Sequence, residues 1–391
     1  MKKVIRTILL VAFFLTTSGT AAVRAEENTP TPNESFAGDL LCLPGAYLVA
    51  PEGCLPLGPS TVLTDLARKG VSYPFLPLPA VNPPQELNQV NINYAKINIP
   101  ATERTKLFSS PDEAVNGGNP VGYLDAGRNI YLTYINRVDI NGGAYIQTPS
   151  GEWVRGSPVA SSMTSFQGLL FQENPHNSFG WIVEPTHPRT NPGYSAPETE
   201  RALNREEVVQ IYDMQNASGT DWYMIGLNEW VERRYLRQLN LNATRPEGID
   251  RDRWIEVNLY EQTLAVYEED KLVFATLVAS GGDPFFTRPG LFQIYEKKPV
   301  ERMSGAFEAD KSDYYLFDGV PWTMYFDQAR ALHGAYWRAN FGYSETHGCV
   351  NLSIGDANWL YQWAEVGDWV YVWDPSGQTP TDPELYTAGG A

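Results

Sequence analysis

The chain has 391 residues, of which 43% are hydrophobic and 19% are charged, a balance that can bury several cores and excludes disorder over most of its length. The 46 Asp and Glu residues outnumber the 29 Lys and Arg residues. The resulting net charge of -17 argues against nucleic acid as the main partner, because there is no excess of cations to neutralise phosphates. The 33 Gly and 29 Pro residues favour short elements separated by turns, and therefore a mainly β fold.

The N-terminus has the pattern of a secretory signal peptide. Lys2 and Lys3 precede an apolar run over residues 8–15, and a small-x-small cleavage pattern ends at Ala25. The apolar run is too short to cross a bilayer comfortably as a permanent helix, although an uncleaved anchor is the alternative. We therefore predict that residues 1–25 are removed. The mature protein is expected outside the cytoplasm, either secreted, periplasmic or associated with the cell wall, with no stable membrane insertion.

Cysteine usage agrees with export. The chain has three cysteines, Cys42, Cys54 and Cys349, and an odd number in an exported protein leaves one thiol over. Cys42 and Cys54 lie in one Gly/Pro-rich stretch, and we predict that they close a small loop by a disulfide. Cys349 then remains as a free thiol in an oxidising compartment, which is a liability unless the thiol has a function.

The next elements along the chain are a short helix and a linker. Ser60 is a candidate N-cap for a helix through Lys69, where Gly70 would stop it. Five prolines between residues 74 and 84 then predict an extended linker, or a strap that lies along another surface.

The middle of the chain contains a weak internal repeat. An aromatic residue is followed eight positions later by a Trp in a Glu-Trp-Val triplet, at Tyr145 and Trp153 and again at Trp222 and Trp230. Each pair predicts a β-hairpin, and a β-rich run precedes each one. The short strands and tight turns resemble the bacterial SH3-like modules of cell-wall enzymes. The alternative is that these aromatic residues are ordinary β core.

Longer alternation begins after residue 252. It predicts three successive strands over residues 255–259, 263–267 and 271–278. Ser353 is a candidate cap for a helix that runs to about Val366 and is ended by Gly367. A last strand is predicted over residues 369–373.

A cysteine and two histidines lie close together in this C-terminal part. His333 and His347 precede Cys349, which follows Gly348 directly. A cysteine nucleophile needs a base for its proton and N–H donors for the oxyanion that forms. Gly348 permits a tight turn close to a substrate, and Asn351 can donate to a substrate carbonyl or carboxylate. These residues predict a Cys–His acyl-transfer enzyme.

A metal site is the alternative use of the same residues. Its ligands would be His333, His347 and Cys349, with an Asp or Glu carboxylate as a further ligand. Neither a paired C-x-x-C nor an H-E-x-x-H pattern appears, so we expect no metal.

The motif T-H-G-C-V-N over residues 346–351, preceded by His333 and Gly334, resembles the signature of L,D-transpeptidases with a YkuD-type catalytic domain. The resemblance extends over residues 252–375. It departs from the family pattern at Arg288, where Pro is common, and at Thr346, where Ser is commoner. The family fold is a β-rich sandwich with one or two helices, which agrees with the predicted strands.

The resemblance implies a role for each motif residue. Cys349 would be the nucleophile and His333 the general base, oriented by the backbone carbonyl of Gly334. Backbone N–H groups of His347, Gly348 and Cys349 would form the oxyanion hole. The residues expected in the substrate groove are Asn351, Trp337 and Tyr315.

The resemblance also implies a reaction. The cysteine attacks the bond after the third residue of a peptidoglycan tetrapeptide stem and releases the terminal D-alanine. An amine of a neighbouring stem then resolves the acyl-enzyme and gives a 3→3 cross-link. The alternatives are an L,D-carboxypeptidase, in which water resolves the acyl-enzyme, and a non-catalytic cell-wall-binding protein. No cofactor is implied.

These observations predict a mainly β protein with six consecutive parts. They are a signal peptide (1–25), an N-terminal segment with the cysteine pair and the Pro-rich linker (26–92), an SH3-like module (93–185), a second SH3-like module (186–248), the catalytic domain (252–375) and a C-terminal tail (376–391).

Overall fold

The computed structural model describes residues 77–241, 244–306 and 314–386. The signal peptide, the Cys42–Cys54 pair and the helix predicted from Ser60 lie outside these ranges. The described ranges contain two α-helices, α1 (Pro111–Asn116) and α2 (Ile354–Trp363), and short 3₁₀ turns at Gln85–Asn88, Arg233–Tyr235 and Pro383–Tyr386. None of these helices is long and apolar enough to cross a membrane.

Strands make up most of the remaining regular structure, so the prediction of a mainly β fold is confirmed. They are β1 (Ala80–Val81), β2 (Asn93–Lys96), β3 (Thr105–Leu107), β4 (Gly122–Leu124), β5 (Asn129–Tyr134), β6 (Asn136–Ile140), β7 (Gly143–Gln147), β8 (Trp153–Arg155), β9 (Ser157–Val159), β10 (Leu169–Phe171), β11 (Phe179–Ile182), β12 (Val208–Gln210), β13 (Asp213–Ala217), β14 (Thr220–Gly226), β15 (Glu229–Glu232), β16 (Leu236–Leu239), β17 (Arg253–Asn258), β18 (Thr263–Glu268), β19 (Lys271–Leu277), β20 (Gly290–Gln293), β21 (Glu296–Gly305), β22 (Tyr315–Asp327), β23 (Arg330–Gly334), β24 (Val350–Leu352) and β25 (Trp369–Trp373).

Two seven-stranded sheets form the body of the protein. Sheet A has the strand order β1-β10-β19-β18-β17-β25-β20, and sheet B has the order β24-β23-β22-β5-β2-β9, with β21 paired to β22. Apolar side chains of both sheets and of α2 share one core. Val257 contributes from sheet A, Leu332 from sheet B and Leu360 from α2, and all three are fully buried. The two sheets and the helix therefore pack as a sandwich.

The other face of sheet A is also covered. Trp254 and Tyr267 stack there with ring centroids 4.8 Å apart, and they share a second core with Phe179 and Trp181 of β11. This double burial explains why β18 has apolar residues on both faces, with Leu264 and Val266 in the first core and Ala265 in the second. The buried Glu256 of β17 accepts a hydrogen bond from Trp373 Nε1 at 3.1 Å.

The two predicted hairpins are confirmed. β7 pairs with β8 through Ile146 and Val154, and β14 pairs with β15 through Tyr223 and Val231. Their aromatic residues are buried and belong to the core of the molecule. The SH3-like character of the two segments stays a prediction.

The C-terminal elements also match the sequence pattern, except at one end of the helix. Ser353 Oγ accepts from the N–H of Asp356 at 3.3 Å and caps α2 as predicted. The helix does not run to Val366, because Ala364 is already extended and caps it. Gly367, with φ +92°, instead makes the turn into β25.

A parallel strand pair joins the middle of the chain to the C-terminal part. β5 pairs with β22, so that Ile130 lies opposite Leu316. Asp318 Oδ2 accepts hydrogen bonds from the backbone N–H and the hydroxyl of Thr133, at 3.1 and 2.5 Å. Strands on both sides of the predicted boundary near residue 250 therefore share one sheet, and the domain boundaries themselves stay predictions.

The approach of the two segments is closest at Gly127. A Cβ atom at Gly127 would lie 2.1 Å from the carbonyl oxygen of Tyr314, whereas a Cβ at Gly122 would lie no closer than 3.5 Å to any neighbour. We predict that Gly127→Ala lowers the free energy of unfolding by about 1–3 kcal/mol, as overpacking does, and that Gly122→Ala changes it much less. Urea unfolding of the two variants measures this, and equal values would contradict the packing described.

Candidate active site

Neighbouring strands of sheet B surround a cavity of about 200 Å³. β23 carries His333 and Gly334, β24 begins directly after Cys349, and β22 begins at Tyr315. The residues that line the cavity are Asn129, Tyr131, Met303, Tyr315, Phe317, His333, Trp337, Arg338, Glu345, Thr346, His347, Cys349 and Asn351.

The hydrogen bonds of His333 define its tautomer. Its Nδ1 lies 3.1 Å from the carbonyl oxygen of Gly334, and because a carbonyl can only accept, Nδ1 carries the proton. Nε2 then has a free lone pair, which accepts from Asn351 Nδ2 at 2.8 Å. Parallel pairing of β23 with β24 sets this contact, because it places His333 opposite Asn351.

Burial keeps the imidazole neutral. Desolvation lowers the pKa of His333 to about 4, the hydrogen bond to Gly334 opposes this shift, and the positive charge of Arg338 adds to it. The ring is therefore uncharged at neutral pH and can act as a proton acceptor through Nε2.

The Cys349 thiol is buried as well. It donates weakly to the carbonyl oxygen of Ala329, with the sulfur 3.8 Å from that oxygen. Desolvation raises the pKa of Cys349 to about 11, against the smaller opposing effects of the Ala331 backbone and the Arg330 charge. Cys349 and His333 thus line the same cavity as two neutral groups, each hydrogen-bonded to a different partner.

The turn that carries the cysteine is fixed by two threonine hydroxyls. Thr346 Oγ1 donates to the carbonyl oxygen of Cys349 at 2.6 Å and accepts from the N–H of Gly348 at 3.2 Å. Thr287 Oγ1 donates to the carbonyl oxygen of Gly348 at 2.8 Å. Gly348 has φ +117° and passes so close to Gly281 that a Cβ atom at Gly281 would lie 2.8 Å from the Gly348 Cα. Thr346 therefore supplies the hydroxyl at the position where Ser is commoner.

Aromatic rings form the walls beside this turn. The His347 ring stacks on Tyr315, with centroids 5.1 Å apart, and meets the edge of Phe285 at 5.0 Å. Trp337 stacks on Phe317 at 3.9 Å and lies 5.8 Å from the His333 ring. The His347 side chain is thus held between two rings.

All of the residues predicted from the sequence motif lie at this one site, while Cys42 and Cys54 lie outside the described residues. The structure differs from the expectation for Asn351, because its amide donates to His333 in addition to lining the cavity. Asn129 and Tyr131 come from β5, far upstream of the motif, and were not predicted as site residues. No local motif marks them, since only the pairing of β5 with β22 brings them here.

In the described ranges, no group of three His, Cys, Asp or Glu side chains could hold a metal ion.

Part of the chain matches a known family. Residues 252–372 match the YkuD family, described as the L,D-transpeptidase catalytic domain. The chain is 27% identical over 206 residues to L,D-transpeptidase 1 of Mycobacterium tuberculosis strain H37Rv, a match that covers 48% of this chain and 79% of that protein.

Solved structures of similar chains come from other bacteria. An L,D-transpeptidase from Stackebrandtia nassauensis is 27% identical, with a TM-score of 0.27, and the match covers 34% of this chain and 60% of that one. The catalytic domain of the L,D-transpeptidase from Enterococcus faecium is 25% identical, with a TM-score of 0.28, and the match covers 32% of this chain and 100% of that one.

The raised pKa of Cys349 predicts that its thiol is alkylated slowly in the resting protein. With its pKa raised to about 11 instead of 9, Cys349 forms about 100-fold less thiolate at neutral pH than an unperturbed thiol. Iodoacetamide alkylation of Cys349, followed by mass spectrometry of its peptide, should accelerate steadily from pH 7 to pH 10. A rate that is already maximal at pH 7 would indicate a thiolate–imidazolium pair and contradict this assignment.

The buried imidazole also predicts a loss of stability in acid. The unfolded chain protonates His333 near pH 6.5 and the folded chain near pH 4, so the free energy of unfolding falls as the pH drops through this window. At pH 4.5 this contribution amounts to about 2–3 kcal/mol. Urea unfolding at pH 7 and pH 4.5 should show that His333→Gln loses less stability than the wild type.

That comparison also controls for Asp356. Burial raises the pKa of Asp356 to about 6, which opposes the effect of His333, but Asp356 is present in both proteins and cancels in the difference. An equal loss of stability in both proteins would show that His333 is not the buried neutral group.

Proposed function

We propose that the protein is an exported L,D-transpeptidase that forms 3→3 cross-links between peptidoglycan stem peptides through an acyl-enzyme on Cys349. The observation that carries the proposal is the meeting of Cys349, His333 and the Gly334 carbonyl at one cavity, within the residues that match the L,D-transpeptidase catalytic domain. The relatives named as L,D-transpeptidases support the reaction class.

Acylation begins with proton transfer. His333 Nε2 takes the thiol proton while the sulfur attacks the carbonyl carbon of the third stem residue, and a tetrahedral oxyanion forms. Backbone N–H groups of the turn over residues 347–349 stabilise that oxyanion. Its collapse expels the amine of D-alanine, which receives the proton from His333, and leaves a thioester on Cys349.

The Gly334 carbonyl has a defined role in this step. It holds the Nδ1 proton of His333, so that Nε2 faces the reaction, and it favours the imidazolium that forms after proton transfer. Transfer requires Nε2 to exchange its hydrogen bond from Asn351 for one from the thiol. The N–H of Gly348, which donates to Thr346 in the resting structure, must likewise turn to the oxyanion. Substrate binding supplies the polar groups that replace these contacts.

Deacylation decides the product. The amine of a second stem attacks the thioester with His333 as base, and a cross-link forms while the thiol is restored. The half-buried Trp337 and the buried Phe317 form an apolar wall close to the base, which limits access of water to the thioester. We therefore favour transfer over hydrolysis.

The proposed location outside the cytoplasm rests on the signal-peptide pattern of residues 1–25 and on the site of the substrate.

The test is a mass-spectrometric assay with disaccharide-tetrapeptide. The wild type should give a dimer that lacks one D-alanine, Cys349→Ala should give no product, and His333→Gln should be slowed by about 10²–10⁴-fold because the general base is lost.

The products distinguish the alternatives. Tripeptide without dimer would replace the proposal with an L,D-carboxypeptidase. Full activity of Cys349→Ala would overturn the acyl-enzyme. A wild type that is folded, inactive and forms no acyl adduct would favour a wall-binding protein, which a pulldown on insoluble peptidoglycan would detect.

A further inference from the structure

Strand β5, in the middle of the chain, contributes two side chains to the catalytic cavity. Asn129 and Tyr131 are two residues apart and therefore project from the same face of the strand. Both line the cavity together with His333 and Cys349. The pairing of β5 with β22 places Tyr131 opposite Phe317, which lines the cavity as well. The cavity is therefore built from two parts of the chain that lie far apart in sequence.

The β5 wall, defined here as Asn129 and Tyr131, is held rigidly against the C-terminal part. In sheet B, Tyr94 of the adjacent strand β2 stacks on Tyr336, with ring centroids 3.7 Å apart. The Tyr94 hydroxyl donates to the carbonyl oxygen of Gly319 and the Tyr336 hydroxyl donates to that of Asp318, both at 2.8 Å. Tyr94 and Tyr336 are completely buried. The segment that contains β2 and β5 is thus a fixed part of the site and not a flexibly linked module.

A continuous row of rings connects the β5 wall to the base. Tyr131 stacks on Phe317 at 5.6 Å, Phe317 stacks on Trp337 at 3.9 Å, and Trp337 lies 5.8 Å from the ring of His333. At the outer end of this row, Asn129 is exposed and presents a side-chain amide, which can both donate and accept. The backbone of an extended peptide offers the same pair of groups.

We propose that the β5 wall is the part of the substrate site that recognises the peptide backbone, with Asn129 as a substrate-binding residue and Tyr131 as its aromatic support. The identity of the peptide rests on the proposed function, whereas the position of the wall rests on the strand pairing. The middle segment is then part of the enzyme's substrate site.

The first experiment tests the wall without any stem peptide. Asn129→Trp places a large ring at the rim of the cavity and should slow alkylation of Cys349 by N-ethylmaleimide at pH 9 several-fold. Asn119→Trp is the matched control, because Asn119 is exposed in the same segment and does not line the cavity. Mass spectrometry of the Cys349 peptide gives both rates. Equal rates in the two variants would overturn the proposed wall.

The second experiment tests recognition. Asn129→Ala should raise KM for the disaccharide-tetrapeptide about 2–10-fold, the loss of one hydrogen bond, and leave kcat nearly unchanged. Asn119→Ala should change neither constant. An unchanged KM for Asn129→Ala in an active enzyme would refute recognition by the wall. If the wild type does not use this substrate, the proposed function fails, and the alkylation rates still decide whether the wall exists.

Discussion

The register of the parallel pair β23–β24 is the constraint on which the site depends. It places His333 opposite Asn351, and Asn351 follows Cys349 by two residues, so His333 and Cys349 lie beside one cavity. A shift of one residue would turn these side chains to the opposite face, into the core between the two sheets. That core contains Leu332 and Val350, the residues that alternate with them, and it therefore disfavours a one-residue shift, which would turn these apolar side chains outward.

The same burial that fixes the geometry also sets the charge state. Desolvation raises the pKa of Cys349 and lowers that of His333, so both groups rest uncharged. A neutral pair is less reactive than an ion pair toward oxidants and adventitious electrophiles, since the thiolate is the reactive form. The resting hydrogen bond from Asn351 to Nε2 has a similar effect, because it occupies the atom that would take the thiol proton. The proposed reaction then requires a substrate that displaces this hydrogen bond.

Local patterns predicted the local structure well. The hairpins β7–β8 and β14–β15 and the strands β17–β19 follow from alternation and turn residues close together in sequence. The T-H-G-C-V-N motif, with His333 and Gly334 upstream, predicted which residues meet, because it resembles the signature of a known family. The helix end near Trp363 was missed, since Gly367 is the stronger signal but serves the following turn.

Non-local pairing explains what the sequence did not reveal. The contact of β5 with β22 joins strands nearly two hundred residues apart, and no residue type marks a strand for a distant parallel partner. The sequence therefore could not predict Asn129 and Tyr131 as cavity residues. The bond from Asn351 to His333 was missed for the same reason, because it follows from register and not from spacing along the chain.

The pairing of β5 with β22 has a consequence for how the chain can be divided. Over residues 315–317, β22 pairs with β21 and with β5. A fragment that begins at the matched region would lose β5, and the backbone N–H and C=O groups of this stretch that point away from β21 would be unpaired, beside the Tyr315 and Phe317 rings. Such an open apolar edge is a template for strand addition by another chain. In the full chain, β5 thus covers an edge of β22 that would otherwise be open to pairing with another chain.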